Sequence, residues 1–264
     1  MRSLITVLIL FLASSPVAAQ ESSVAAHIHM GDSLESALKP EEAVPHFRAA
    51  LALDSTNYEA LWKTARAIMN VAKQIDSDED AEKKRRDSMY MEARDLANAA
   101  VRADSKGSQG HSILAQAIGR LSRTRGGKER VRFAKDIYEE AMEAIALDST
   151  NDPAYHVIGA WNAEVKRLSG MTRFFAKTLF GAGFMDKANW DDAQSYMVRA
   201  IELRPENVYH HLELAEIYVD VKKYSKAREQ LAIIPTLPNS DVLDHKYKQE
   251  AAALLNEIQD KKDG

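Results

Sequence analysis

The chain has 264 residues, with 35 lysines and arginines against 39 aspartates and glutamates, and it has no cysteine. The absence of cysteine excludes disulfides, thiolate metal sites and cysteine nucleophiles, so stability has to come from packing. A mildly negative net charge gives no general reason to expect nucleic acid as a partner. Few glycines and prolines, with abundant Ala, Leu, Glu and Lys, favour an almost wholly helical fold.

The first segment of the chain, residues 1–20, has the pattern of a secretory signal peptide. Arg2 provides the positive start, an apolar run covers residues 4–12, and residues 17–19 place small side chains at the −3 and −1 positions of a cleavage site. The run is shorter than the roughly 20 apolar residues that cross a bilayer. We therefore expect a signal peptide and an exported chain, with a retained membrane anchor as the alternative.

One octapeptide recurs along the chain, each time at the end of an amphipathic segment. Its copies are ALALDSTN at 50–57, AVRADSKG at 100–107, AIALDSTN at 144–151 and AIELRPEN at 200–207. This spacing indicates a repeat of about 34 residues made of two antiparallel helices, with insertions in some repeats. The frame predicts five helix pairs and a capping helix, at about 24–57, 58–107, 108–151, 152–207, 208–240 and 241–261.

The eighth position of the repeat is the clearest sign of this frame, because it is small in every repeat. It is occupied by Gly31, Ala65, Ala115, Gly159 and Ala215. Paired helices cross closely at such a position, and a large side chain would force them apart. The predicted fold is an all-α, tetratricopeptide-like right-handed superhelix, a solenoid whose C-terminal helix covers the last apolar face.

The residues outside the frame form three inserts, each between the two helices of a repeat, at 72–87, 120–135 and 169–190. The first is acidic and then basic, which is typical of a solvated helix extension. The second is rich in cations that suit an anionic partner, and the candidate anion-binding residues are Arg123, Arg125, Lys128, Arg130 and Arg132. The alternative is that these cations neutralise the acidic helix that follows.

The third insert combines aromatic side chains with cations. An apolar face with a cationic edge suits a membrane surface or a bound acyl chain. The candidate contacts to a lipid or a partner are Phe174, Phe175, Phe180 and Phe184. The alternative is that this segment folds back and packs on its own solenoid.

A family resemblance rests on the segments YHVIGAW at 155–161, FFAKTLFGAG at 174–183 and LPNSDVLDHKYKQEAAALL at 237–255. In these segments the chain resembles the regulator of microtubule dynamics family of tetratricopeptide-like proteins, in particular its signal-bearing bacterial members. One departure is Ala160, where those relatives usually carry Arg. The resemblance implies an all-helical solenoid with an interaction role. From the signal peptide we expect the chain to be periplasmic or secreted in a bacterium.

The function that these patterns favour is an exported, non-catalytic scaffold that binds a peptide or protein through its concave face and the inserts between its helices. The candidate partner-binding residues on the first helices are Trp62, Arg66, Gln116, Arg120, His156, Glu164, Tyr209, Glu216 and Asp220. A lipid or amphiphile binder that uses the third insert is the alternative. An enzyme with an unrecognised site is the third hypothesis.

The sequence predicts no catalytic residue, no cofactor and no metal site. No nucleophile elbow, Gly-rich phosphate loop or HExxH motif occurs in it, and these are the motifs that carry such chemistry. His27 and His29 are two residues apart, so on a helix they point in different directions and cannot easily share a metal ion.

Overall fold

The computed structural model describes residues 16–264. Within this range the protein is all-α and contains no strand. The helices are α1 Pro16–Ser36, α2 Pro40–Leu53, α3 Tyr58–Ala72, α4 Asp80–Ala103, α5 Ser108–Ser122, α6 Gly127–Leu147, α7 Asp152–Arg167, α8 Gly170–Phe180, α9 Trp190–Leu203, α10 Val208–Asp220, α11 Tyr224–Ile233 and α12 Asp244–Ile258. Two 3₁₀ helices lie at Ala182–Lys187 and Ile234–Thr236.

The predicted signal peptide at residues 1–20 lies outside the described residues, apart from residues 16–20, which begin α1. None of the helices described in residues 16–264 combines the length and the apolar character that crossing a membrane requires.

The helices pack in pairs, and the pairs stack along the chain. The pairs are α1 with α2, α3 with α4, α5 with α6, α7 with α9 and α10 with α11. The first helices of the pairs also contact one another, α1 with α3, α3 with α5, α5 with α7 and α7 with α10, and α12 packs on the last pair. The first helices therefore form a continuous inner row. This confirms the predicted all-α, tetratricopeptide-like solenoid of five helix pairs with a C-terminal capping helix.

The recurring octapeptide builds the turns between pairs. In its first copy Asp54 Oδ1 accepts the amide two residues further on, at 3.0 Å, and Asn57 Oδ1 accepts the amide three residues further on, also at 3.0 Å. The copy at 144–151 makes the same two bonds at 2.8 and 3.2 Å. Asn207 caps α10 in the same way, at 3.1 Å. Aspartate thus closes the turn, and asparagine satisfies an amide at the start of the next helix.

The copy at 100–107 has Gly107 where the other copies have asparagine, and Tyr58 replaces the missing cap. The Tyr58 hydroxyl accepts the Gly110 amide at 2.9 Å. This amide occupies the same position in α5 that an asparagine caps in the other helices. A Cβ at Gly107 would lie 2.3 Å from the Tyr58 side chain, so the position has to be glycine while Tyr58 fills the space.

The small residues at the eighth position of the repeat are all buried, and the two glycines lie at close helix crossings. A Cβ added to Gly31 would lie 2.4 Å from the Phe47 ring. A Cβ added to Gly159 would lie 3.2 Å from the backbone oxygen of Ala193 and 3.2 Å from the backbone nitrogen of Met197. Because the neighbours of Gly159 include backbone atoms of α9, they have little room to move aside.

Gly159→Leu should lower the stability of the protein, because overpacking a tight crossing costs about 1–3 kcal/mol. Gly119→Ala is the control: a Cβ at Gly119 meets nothing within 4 Å, and alanine in a helix interior is favoured over glycine by roughly 0.5–1 kcal/mol. Thermal unfolding followed by circular dichroism measures both variants. A Gly159→Leu protein as stable as the unsubstituted chain would contradict the close crossing of α7 and α9.

Candidate partner-binding site

A cavity of about 450 Å³ lies at the inner face, where the first helices meet the C-terminal segment. This volume is in the usual range of ligand pockets, about 300–1,000 Å³. The cationic side chains that line it are Lys73, Arg86, Arg120, Arg123, Arg167 and Lys246, and the carboxylates are Asp76, Glu164, Glu213, Glu216 and Glu250. The cavity is therefore strongly charged, and its charges come from several elements that are far apart in the chain.

The C-terminal segment forms one wall of the cavity, and two ion pairs join it to the second helix pair. Lys73 at the end of α3 pairs with Asp241, and Lys246 on α12 pairs with Asp76 at 2.7 Å. The Lys73 side chain is only 9% exposed, and this burial lowers its pKa in spite of the opposing effect of Asp241. These contacts give the groove a wall on its C-terminal side.

Arg120 on α5 is the centre of the positive side of the cavity. Its guanidinium lies among the side chains of Tyr90, Tyr209 and Tyr247, and the rings of Tyr209 and Tyr247 stack with centroids 4.5 Å apart. Burial raises the pKa of Tyr247 to about 12 and raises that of Tyr209 as well, so these phenols stay neutral. Within residues 16–264 neither Arg120 nor Arg123 forms an ion pair with a carboxylate.

Arg167 on α7 is the centre of the negative side, because four carboxylates surround it. Its guanidinium lies 2.9 Å from Glu164, 2.8 Å from Asp220, 3.4 Å from Glu213 and 3.8 Å from Glu216. One positive charge cannot balance four negative ones. Burial, followed by the neighbouring Glu213, raises the pKa of Glu216 to about 7. Burial also raises the pKa of Glu213.

Of the nine candidate partner-binding residues, the cavity brings together Arg120, Glu164, Tyr209 and Glu216. Asp220 lies at its edge through the bond to Arg167. The other four do not line the cavity. They are Trp62, Arg66, Gln116 and His156.

Trp62 and Arg66 lie further toward the N-terminal end of the inner row. The Arg66 guanidinium lies 4.8 Å from the centre of the Trp62 ring, and its Nε donates to Glu35 of α1 at 3.0 Å. Gln116 donates to the backbone oxygen of Ser112 at 3.2 Å. These side chains have protein partners within their own part of the solenoid.

His156 belongs to a buried network that joins α7 to α10. Its Nδ1 lies 3.0 Å from Nδ1 of His210, whose Nε2 lies 2.9 Å from Asp152. Burial lowers the pKa of both histidines, that of His156 to well below its ordinary value. When neutral His210 donates from Nε2 to the carboxylate, its bare Nδ1 has to accept, so His156 donates from Nδ1. The ring of Tyr209 packs on His156 at 4.7 Å, so the network also positions that tyrosine.

The five candidate anion-binding residues are not gathered into one site. Arg123 lines the cavity, whereas Arg125 pairs with Asp87 at 3.0 Å. The other three are exposed near the start of α6, and they are Lys128, Arg130 and Arg132.

The third insert divides into two parts. Phe184 in the 3₁₀ helix is partly buried, and its ring lies 6.3 Å from that of Trp161 on α7. On α8 the side chains of Phe174, Phe175 and Phe180 are 62%, 50% and 38% exposed. One part of the insert therefore packs on the solenoid, and the other leaves an apolar face open.

Several residues that line the cavity were not predicted from the sequence, among them Lys73, Arg86, Arg167, Lys246 and Tyr247. One signal was available for Arg167. Glu213, Glu216 and Asp220 follow one another at helical spacing on α10, and residues three and four apart share one face of a helix. A stripe of carboxylates on the inner row needs a cation nearby.

Comparison with known proteins places the chain in a family. Residues 27–259 match the family model described as Regulator of microtubule dynamics protein 1-3. The chain belongs to this family. It is 28% identical over 210 residues to Regulator of microtubule dynamics protein 1 of Bos taurus, covering 79% of this chain and 64% of that protein. It is 25% identical over 195 residues to Regulator of microtubule dynamics protein 3 of Rattus norvegicus, covering 74% and 40%. The chain thus spans less than two thirds of the length of these relatives.

Solved structures show the same fold. TTC0263, a thermophilic TPR protein of Thermus thermophilus, superposes with a TM-score of 0.62 at 17% identity, covering 87% of this chain and 99% of that one. The pilF protein of Pseudomonas aeruginosa superposes with a TM-score of 0.54 at 14% identity, covering 91% and 93%. At these identities the similarity establishes the fold alone. Together with the family match, it confirms the resemblance seen in the sequence.

Asp241→Asn should destabilise the protein by about 1–3 kcal/mol, because the buried Lys73 ammonium loses its charged partner. Asp76→Asn is the control, since it breaks the neighbouring ion pair to Lys246, in which the side chains are 77% and 41% exposed. An exposed pair contributes at most about 1 kcal/mol. Urea unfolding measures both losses, and equal losses would contradict the role given to Lys73.

Glu216→Gln should raise the melting temperature at pH 8 and leave it nearly unchanged near pH 4.5. The pKa of Glu216 in the folded protein, about 7, lies above the ordinary value of 4.5. Between pH 4.5 and pH 7 the folded state therefore holds a proton on Glu216 that the unfolded state has lost. Stability is therefore lost as the pH rises from 4.5 to 7, and glutamine removes this loss. Thermal unfolding across this pH range measures the difference between the two proteins. A difference independent of pH would contradict the raised pKa.

Proposed function

We propose that the protein is a non-catalytic scaffold whose inner face holds a segment of a partner protein or a peptide. A tetratricopeptide-like solenoid is a general protein interaction fold, and its concave surface is where such proteins bind. The observation that carries the proposal is the cavity of about 450 Å³, to which α4, α5, α7, α10, α12 and the segment that follows α3 all contribute side chains. A concave space of this volume, with side chains converging on it from several elements, is the usual form of a binding site.

The buried histidines support a non-catalytic role, because they are used to join helices. His111 on α5 lies 2.6 Å from Glu140 on α6, and His211 on α10 lies 2.8 Å from Gln230 on α11. Both rings also contact a backbone oxygen with the second nitrogen. A histidine with both nitrogens engaged by the fold is poorly placed to exchange protons with a substrate.

Export is a further part of the proposal, and it is supported by the pattern of residues 1–20. The scaffold would then meet its partner outside the cytoplasm. N-terminal sequencing of the protein recovered from the exported fraction would show whether this segment has been removed.

Selection from a phage library of random dodecapeptides tests the scaffold function. Thr124 lines the cavity and is exposed, so Thr124→Trp fills the space without entering the core. Thr178→Trp on the exposed side of α8 is the matched control. Enriched peptides should bind the unsubstituted protein and Thr178→Trp equally, and should bind Thr124→Trp about tenfold more weakly, a difference of roughly 1.4 kcal/mol. Failure to enrich any peptide, or equal binding to all three proteins, would contradict the proposal.

A second candidate function, the binding of a lipid or another amphiphile, is favoured by the open apolar face of α8. Met171, Phe174 and Leu179 on this helix are 72%, 62% and 66% exposed, and an amphipathic helix of this kind suits a membrane surface. Sedimentation with phospholipid vesicles tests it. Binding lost in Phe174→Ser and kept in Thr124→Trp would favour this function, and an absence of binding would exclude it.

A further inference from the structure

We propose that the cavity recognises a peptide segment that carries an acidic and a basic side chain close together. The acidic side chain would be bound by Arg120 and Arg123, and the basic one by Glu213 and Glu216. This inference rests on the proposed function and adds the chemistry of the partner.

The positive side of the cavity has cations that the protein does not neutralise. Lys73 and Lys246, which also line it, are each paired with an aspartate. Arg86 donates to the backbone oxygen of Ile75 at 3.0 Å and forms no ion pair within residues 16–264. Together with Arg120 and Arg123, Arg86 gives this side three guanidinium groups that have no carboxylate partner among the described residues. Such a group of guanidiniums suits a carboxylate, which it can bind through paired N–H donors.

The negative side has the opposite excess. Arg167 is shared by four carboxylates, and Glu250 adds a further one to the lining. Burial and mutual repulsion raise the pKa of Glu216. Arg123 also acts on Glu213 and lowers its pKa, but burial and Glu164 outweigh this effect and the pKa stays raised. A further cation close to Glu213 and Glu216 would relieve the repulsion that remains.

The two sides face one cavity, and Tyr209 lies between them. Arg120 and Glu213 both act on its hydroxyl, the carboxylate raising its pKa and the guanidinium opposing that effect. Yet none of the ion pairs in the described part of the chain joins Arg120 or Arg123 to Glu213 or Glu216. Arg123 acts on Glu213 through space, but the two side chains do not form an ion pair. A ligand that carries both a negative and a positive charge can bridge the two sides of the cavity. The protein's own side chains do not form such a bridge.

The polarity of the walls favours a peptide over a lipid. The aliphatic side chains that line the cavity are Ile75, Leu212 and Leu243. An acyl chain requires a continuous apolar wall to offset its removal from water, at about 25 cal/mol per Å² of buried surface. A short polar segment has no such requirement.

The experiment uses the dodecapeptides enriched by the unsubstituted protein, each synthesised with a fluorescent label. Each parent peptide is compared with one version in which Asp and Glu become Asn and Gln, and with another in which Lys and Arg become Gln. Fluorescence anisotropy measures the dissociation constants. Parent peptides should carry both charges, and loss of either charge should weaken binding by about tenfold.

Two variants connect each peptide charge to its side of the cavity. In Arg123→Gln, neutralising the acidic residue of the peptide should weaken binding less than it does in the unsubstituted protein, because only Arg120 remains to bind that residue. In Glu216→Gln the same should hold for the basic residue, for which only Glu213 remains, and a double-mutant cycle measures each difference. Neither variant threatens the fold, because Arg123 is exposed and Glu216→Gln should be stabilising. Arg132→Gln and Glu202→Gln remove exposed charges outside the cavity and should leave the cycle unchanged.

The outcomes separate this inference from the function on which it rests. If peptides are enriched but bind equally well after neutralisation, the scaffold stands and the inference is wrong. If no peptide is enriched, the scaffold function itself fails. If anionic phosphatidylglycerol vesicles bind and Arg123→Gln abolishes that binding, the positive side recognises a lipid headgroup, which would also overturn the inference.

Discussion

The turn between helix pairs sets the geometry on which the inner face depends. An aspartate accepts the amide two residues further on and an asparagine caps the next helix, as at Asp54 with Asn57 and at Asp148 with Asn151. Both bonds fall within one short segment, so they fix how the next pair leaves the previous one. Repetition of this turn brings the first helices into one row. The cavity exists because that row is continuous.

The turn at Gly107 shows which part of this geometry is required. The asparagine is absent there, yet the corresponding amide, that of Gly110, is satisfied by the Tyr58 hydroxyl from the preceding pair. A buried amide without a partner would be costly. The fold therefore requires a partner for that amide, and it accepts a partner from a different element. Tyr58 also fills the space that a side chain at Gly107 would occupy. This explains why this copy of the octapeptide ends in glycine where the others end in asparagine.

The helix pairs could be predicted from the sequence because they follow from local spacing, as at Gly159, which lies close to the backbone of α9. Arg120 and Glu216 were found because they lie on the predicted groove face of the first helices. The enclosure of the cavity could not be predicted. Lys73 and Asp241 are 168 residues apart, and nothing near either residue indicates the other. Non-local pairs of this kind depend on the accumulated twist of the solenoid, which repeat spacing does not specify.

The separated charges of the cavity argue for a role beyond stability. Burial, together with the neighbouring Glu213, raises the pKa of Glu216 to about 7, so at neutral pH this arrangement lowers the stability of the fold. A neutral residue in place of Glu216 would avoid this loss of stability. An arginine on the opposite wall, within ion-pairing distance of Glu216, would avoid it as well. Strained charges of this kind occur most often where a protein binds or acts. Arg120 on α5 and Arg123 just beyond it form no ion pair with a carboxylate among residues 16–264, and they line the same space as the crowded carboxylates of α10. A bound segment that carries both charges would relieve this arrangement on both sides.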